Sequence, residues 1–218
     1  MTITQTSTKI SKETLEVLKN FSSINSNILV KSGNVLTTIS PVKNVMATAT
    51  VSETFDTEFG IWDLNKFLGT ISLFDSPNFE FDDKFVRISN GSSEVVYYYS
   101  EPKLLTTPTK EITMPDGVLN FTLKQFDLQE LQKAASVMQL PDMVVRSAGS
   151  VVELAVLDKK DATSNTYSLE VGDLLNDEHE FAFYFKVENL KMITGDYDVT
   201  ISEKMISQLV NTNDDVTY

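Results

Sequence analysis

Apolar residues along this chain alternate between a spacing of about 3.6 residues and a spacing of two, and the changes of period mark out short helices and strands. Leu15, Leu18 and Phe21 fall one helical turn apart behind Ile10 and Ser11. That pattern predicts a helix with Ser11 as N-cap and an Ile10 to Leu15 staple, with Lys12, Glu16 and Lys19 on the far side. Residues 27–31, 35–40, 45–51 and 55–61 cluster β-formers between Gly33, Pro41 and acidic turns, which predicts a meander. Asp63 suits the N-cap of a second helix through Leu64, Phe67, Leu68 and Ile71, with Lys66 outward. Strands at 79–81, 85–89 and 94–100 follow, the last two joined through Asn90-Gly91.

The stretch 101–117, EPKLLTTPTKEITMPDG, holds three of the six prolines, Pro102, Pro108 and Pro115, and is predicted to run extended as a connector. Beyond it lie a strand at 118–123 and the longest helix. That helix is expected to start at Asp127 with Glu130 completing a capping box, and to bury Leu128, Leu131, Ala135 and Met138 while Lys133 stays outside. Strands are expected at 143–146, 151–157, 166–171 and 180–186, then a short helix over 187–193 ending at Gly195 as C′ residue, then strands at 197–202 and 205–210.

The two halves repeat one pattern. A helix leads into a hairpin on each side, LEVLKNFSSIN then NILVKSGNVLTTIS, and LQELQKAASVM then DMVVRSAGSVVELAV. An aromatic strand later runs into a second short helix in each, EFGIWDLNKFLGTISL and EFAFYFKVENLKMITGDY. The expected organisation is a flexible start at 1–9, domains at 10–100 and 118–218, and the connector at 101–117. The fold class is α+β, with antiparallel sheets and two short helices per domain.

Composition narrows the chemistry. None of the 218 residues is cysteine, which excludes thiolate metal sites and thiol nucleophiles and fits a reducing compartment. The start MTITQTSTK lacks an apolar core, and no apolar run approaches the roughly 18 residues of a membrane span. The one histidine, His179, stands in the acidic run DEHE, which is expected to be a solvated loop tip rather than a metal site. No Gly-rich phosphate loop, dinucleotide fingerprint or serine elbow occurs, so an enzyme is not expected, nor any metal or cofactor.

The net charge of −13 argues against a nucleic-acid partner until its distribution is considered. Acids gather in loops and hairpin ends. Lys12, Lys19, Lys66, Lys124, Lys133 and Lys191, six of the eighteen basic residues, fall on predicted helices or at their starts. Helices on one side of the sheets would then give a basic face and an acidic one.

The segments ISKETLEVLKNFSSINSNILVKSGNV, WDLNKFLGTISL, DLQELQKAASVMQL and ENLKMITGDY, with the proline-bearing connector between them, resemble the DNA polymerase sliding clamps of T-even-like phages. The resemblance runs from about Ile10 to Tyr218. It implies a homotrimeric ring of six similar domains, with helices lining a hole that duplex DNA passes through and sheets outside. Lys12, Lys19, Lys66, Lys133 and Lys191 would face phosphates, with Lys124 at the rim. Ser136 stands where relatives tend to carry a further basic residue, which implies a weaker field there. The resemblance also implies that Val95, Val96, Tyr97, Tyr98 and Tyr99 of one subunit pair with Tyr167, Leu169 and Val171 of the next.

A partner-peptide pocket near the connector would take its wall from Leu104, Leu105, Ile112 and Met114. Implied partners are the replicative polymerase, an ATP-dependent clamp loader and late-transcription factors, in the cytoplasm of the infected bacterial host. The final VTY falls where the family's last strand begins. Two rivals remain at this point. One is an oligomeric phage structural protein that does not bind DNA. The other is a single-strand-binding module, disfavoured because Tyr97 to Tyr99 lack basic neighbours.

Overall fold

The computed structural model describes residues 8–110, 112–173 and 180–218, so His179 and its acidic neighbours Asp177 and Glu178, like most of the expected flexible start, lie outside the described residues. The chain forms two compact units. One ends within the connector and also takes in Asp215–Tyr218; the other is Ile112–Asp214.

In the first unit, helix α1, Lys12–Ile24, begins where Ser11 is extended and its side chain accepts the Thr14 amide. Thr14, Val17, Leu18 and Phe21 make the buried stripe, while Leu15 is only half-buried. Helix α2, Leu64–Ile71, is capped by Asp63, whose side chain accepts the Lys66 amide at 2.9 Å. Strand β1, Ile28–Val30, pairs with β4, Phe59–Ile61, and β2, Gly33–Ile39, pairs with β3, Met46–Phe55. Strands β5, Asn78–Phe81, β6, Phe85–Asn90, and β7, Ser93–Tyr98, form an antiparallel sheet in that order. α1 packs beside α2 and against β3, over a core that includes Phe21, Leu36, Phe55, Phe59, Leu64 and Phe67.

The expected hairpin after α1 is therefore not a ladder between β1 and β2. Gly33 turns the chain at φ 114°, a value open mainly to glycine, and the register shifts between Gly33 and Val35, carrying β2 onto β3 instead. The last residues join this unit: β15, Val216–Thr217, pairs with Ala49 and Thr48 of β3, and the Tyr218 hydroxyl donates to Asn20 Oδ1 at 2.6 Å.

In the second unit, β8, Leu119–Leu123, pairs with β13, Tyr197–Ser202, which pairs with β14, Ile206–Asn211. A second sheet has the order β11, Tyr167–Asp173, β10, Val151–Leu157, β9, Asp142–Ala148, and β12, Ala182–Lys186. Here the expected hairpin does form, turning at Gly149 with Ala148 opposite Val151.

Helix α3, Gln125–Met138, packs on β10 and β11 through Leu128, Leu131 and Ala135. It starts two residues before Asp127, and no capping box forms. The cap comes from elsewhere in the unit: Asp196 Oδ1 accepts the Gln125 amide at 2.8 Å. The helix expected over 187–193 is a single 3-10 turn, Val187–Asn189. Leu190 leaves helical geometry at φ −85°, ψ 49°, because its side chain is buried and Gln132 Nε2 donates to its carbonyl at 2.7 Å. Gly195 is accordingly no helix terminus; it lies in a bend at φ 157°, and a Cβ there would strike the Asn211 side chain. No helix among the described residues is long and apolar enough to cross a membrane.

Candidate nucleic-acid interface

The basic residues on the helices stand opposite the buried stripes. At about 100° per residue, Lys12 and Lys19 share the side of α1 facing away from Val17 and Phe21, with Glu16 between them. Both lysines are exposed, and neither forms an ion pair among the described residues. Lys66 is exposed on α2, and its ammonium lies 3.6 Å from Asp63.

In the second unit, Lys133 is exposed on the side of α3 opposite Leu131 and Ala135, beside Gln129 and Ser136. Its acidic neighbour Glu130 accepts the Tyr167 hydroxyl of β11, which turns that carboxylate toward the sheet. Lys124, just before α3, has Nζ 3.0 Å from Asp196 Oδ2. Lys191 is exposed, but on the segment after the 3-10 turn rather than on a helix. All six expected lysines are therefore on the surface, three in each unit.

Two carboxylates that sequence reasoning did not assign fix the starts of α1 and α3. Glu53 of β3 accepts the Ser11 amide at 2.5 Å and the Thr14 hydroxyl. Burial pushes the Glu53 carboxyl up, but the Thr14 hydroxyl and Ser11 amide outweigh it and hold it below its ordinary value. Asp196 is held below the usual carboxylate range, chiefly by the Gln125 amide and then by the Lys124 ammonium. The bond from Glu53 to Ser11 spans 42 positions and that from Asp196 to Gln125 spans 71, so no local motif announces either.

The expected interface residues occupy two sheet edges. β7 has one described neighbour, β6, and β11 has one, β10. Each edge therefore presents free backbone donors and acceptors among the described residues. Tyr97 donates to the Asp63 carbonyl at 3.2 Å and packs edge-on against Phe67. Tyr99 stacks on Phe59, with ring centres 5.1 Å apart, and its hydroxyl has no partner among the described residues. Burial, and then Asp82, push that phenol up. Only Tyr98 of the three is fully outward, at 70% exposure. Val95 and Val96 are half-buried, as are Tyr167, Leu169 and Val171.

The connector's candidates divide between the units. Leu105 is buried, and its Cδ1 lies where a Cβ on Gly60 would sit, so this side chain fastens the connector to its own unit. Leu104 is exposed beside it. In the other unit, Ile112 is exposed and Met114 half-buried. Asn25 and Asn27 pin the connector further: Asn25 Nδ2 donates to the Thr106 carbonyl at 3.1 Å, and the Thr106 amide donates to Asn27 Oδ1 at 3.0 Å. The Asn-Ser-Asn run after α1 was the sequence signal for that anchor, and it passed unread.

The antiparallel sheets and few helices are those of a DNA clamp. A solved structure of A. fulgidus PCNA, with the C-terminal region of FEN-1 bound, superposes at a TM-score of 0.68 over 93% of this chain and 91% of that one, at 13% identity. The family model for DNA polymerase processivity factors matches residues 11–114, and the model for the C-terminal part of the gp45 sliding clamp matches 120–213. The sliding clamp of Vibrio phage KVP40 is 33% identical over 93% of this chain and 94% of its own length. That of Enterobacteria phage T4 is 30% identical over 90% and 88%.

The chain belongs to the phage sliding-clamp family of DNA polymerase processivity factors. It is a clamp and not an enzyme, and the rival reading as a structural protein finds no support in these likenesses.

Proposed function

We propose that three copies of this chain close head to tail into a ring, with β7 of one copy pairing along β11 of the next, and that duplex DNA threads the ring past Lys12, Lys19, Lys66, Lys133 and Lys191, with Lys124 at the rim. The observation that carries this reading is that, among the described residues, β7 and β11 each have an unpaired edge in the chain whose helix lysines stand exposed opposite the buried faces. A head-to-tail contact uses two different edges of each copy and closes when the rotation between copies is right.

Lysine ammonium groups meet phosphates, which are alike along the duplex, and no group reads a base edge. Contacts then exchange as the clamp moves, so binding is sequence-independent and permits sliding. The ring tethers the replicative polymerase, keeps it on its template, and is placed on DNA by an ATP-dependent loader. Exposed Leu104, Ile112 and the half-buried Met114 offer apolar contacts to short peptides from the polymerase, the loader or late-transcription factors. Leu104 stands next to buried Leu105 in the first unit, and Ile112 and Met114 belong to the second, so each unit offers its own apolar contact. The clamp works on replicating phage DNA in the cytoplasm of the infected bacterial host.

Replacing Lys12, Lys19, Lys66, Lys133 and Lys191 by Ala tests the assignment. The variant should keep its oligomeric mass and lose loader-dependent processivity on primed DNA. Unchanged processivity would refute the DNA-facing role.

A further inference from the structure

Two aspartates, one in each unit, each do the same pair of jobs. In the first unit, Asp63 Oδ1 accepts the Lys66 amide at 2.9 Å while Oδ2 stands 3.6 Å from the Lys66 ammonium. In the second, Asp196 Oδ1 accepts the Gln125 amide at 2.8 Å while Oδ2 accepts from the Lys124 ammonium at 3.0 Å. One oxygen fastens the start of a helix and the other holds a lysine. A helix start and an ammonium each attract an anion.

The remaining helix lysines are treated differently. Lys12, Lys19 and Lys133 have no carboxylate in ion-pairing range among the described residues. Glu130, the acid nearest in sequence to Lys133, is occupied by the Tyr167 hydroxyl on the sheet side. Among the described residues these three lysines have no counter-charge, while Lys66 and Lys124, each beside a capping aspartate, have one. A neutral side chain such as Asn can still accept an amide at a helix start, so the charge can be removed while an acceptor is kept. In both units that charge acts on the adjacent lysine as well as on the helix start.

We infer that Asp63 and Asp196 are positioning residues that weaken the grip on DNA, by keeping Lys66 and Lys124 engaged so that phosphates must displace a tethered carboxylate to reach them. This rests on the DNA-facing reading of the lysines. A lysine already paired releases little of the DNA's counterion atmosphere when a phosphate approaches, so it adds little to affinity or to salt dependence. The bare lysines supply the field that keeps DNA in place, and the tempered pair keeps that field from becoming a brake.

The test is a salt titration of the full-length protein on a fluorescent duplex, followed by anisotropy. Asp63→Asn with Asp196→Asn keeps an acceptor at both helix starts and removes both charges. The expected result is tighter binding and a plot of log Kobs against log salt that steepens by about 0.9 for each lysine released. Adding Lys66→Ala and Lys124→Ala to that background should return the slope to its starting value. Unchanged helicity by circular dichroism and a normal thermal midpoint check that the caps survive; Asp196→Ser gives a second neutral cap if the Asn variant is poorly folded.

Lys12→Ala with Lys19→Ala and Lys133→Ala, run alongside, should give a shallower slope. If that control flattens while the Asn variant does not steepen, the tempering role is overturned and the DNA-facing reading stands. Steepening that persists without Lys66 and Lys124 also overturns it, because the aspartates would then act only through net charge. If the control does not flatten, the DNA-facing reading fails and the inference falls with it.

Discussion

Glu53→Gln probes the joint between α1 and β3, on which the placement of Lys12 and Lys19 depends. The Glu53 side chain is buried, with one oxygen accepting the Ser11 amide at 2.5 Å and the other the Thr14 hydroxyl, which is itself buried. Glutamine's carbonyl oxygen can still accept the Ser11 amide, and its NH2 group can donate to the Thr14 hydroxyl oxygen, which accepts as well as donates. Both bonds to the carboxylate then become neutral ones. Hydrogen bonds to charged groups contribute about 1.5–3 kcal/mol and neutral ones about 0.5–1.5 kcal/mol, so each bond loses about 1 kcal/mol. A net loss of about 2 kcal/mol is expected, a fall in Tm of roughly 4–8 °C for a chain of this size.

The pH dependence supplies the sharper readout. The folded Glu53 carboxyl lies below its ordinary value of 4.5 because the bonds from Thr14 and Ser11 outweigh the effect of burial. A lowered folded value means that the stabilisation is fully present above the unfolded value and is lost as pH falls through the folded one. The gap in Tm between wild type and Glu53→Gln should therefore be complete at neutral pH and close as the solution is acidified below 4.5, where the wild-type carboxyl takes up its proton. Differential scanning calorimetry at stepped pH measures it. A gap that is absent at neutral pH, or that does not narrow on acidification, would refute the reasoning.

Gly60→Ala should destabilise the first unit by about 1–3 kcal/mol, the cost of overpacking. The new Cβ would lie 2.6 Å from Leu105 Cδ1 and 2.7 Å from the Ser100 carbonyl oxygen, and the backbone contact cannot swing away; urea denaturation reports the loss, and faster proteolysis of the connector reports its loosened start. Tyr98→Asp should weaken self-association in a light-scattering dilution series while leaving helicity unchanged, because Tyr98 is outward on the β7 edge whereas Tyr97 and Tyr99 pack inward. Association of the variant equal to wild type would remove β7 from the interface.

Local chemistry was legible in the sequence and remote chemistry was not. Ser11 and Asp63 were readable as caps because each side chain bonds an amide three residues on. The start of α3 was misplaced because its cap, Asp196, arrives from the loop before β13, while Asp127 and Glu130 imitate a capping box that never closes. The short segment 187–193 carries a helical spacing, but burial of Leu190 and the bond from Gln132 end it after one turn. Strands were recognised by composition, yet their partners depend on backbone torsion at Gly33, which composition does not encode.

The same limit applied to the surface. Lys12, Lys19, Lys66 and Lys133 were readable as exposed from helical periodicity, but the counter-charges on Lys66 and Lys124 and the diversion of Glu130 to Tyr167 appear only in three dimensions. The tyrosine run signalled an edge, and only packing on Phe67 and Phe59 separates Tyr97 and Tyr99 from Tyr98.

Encirclement of duplex DNA is the central claim, and topology tests it most directly. The clamp is loaded by its cognate loader onto a nicked circular duplex, separated from free protein by gel filtration, and the circle is then cut once. A clamp held around DNA co-elutes with the circle and is released when an end is made. Equal retention on the circle and on the linear product would contradict the ring.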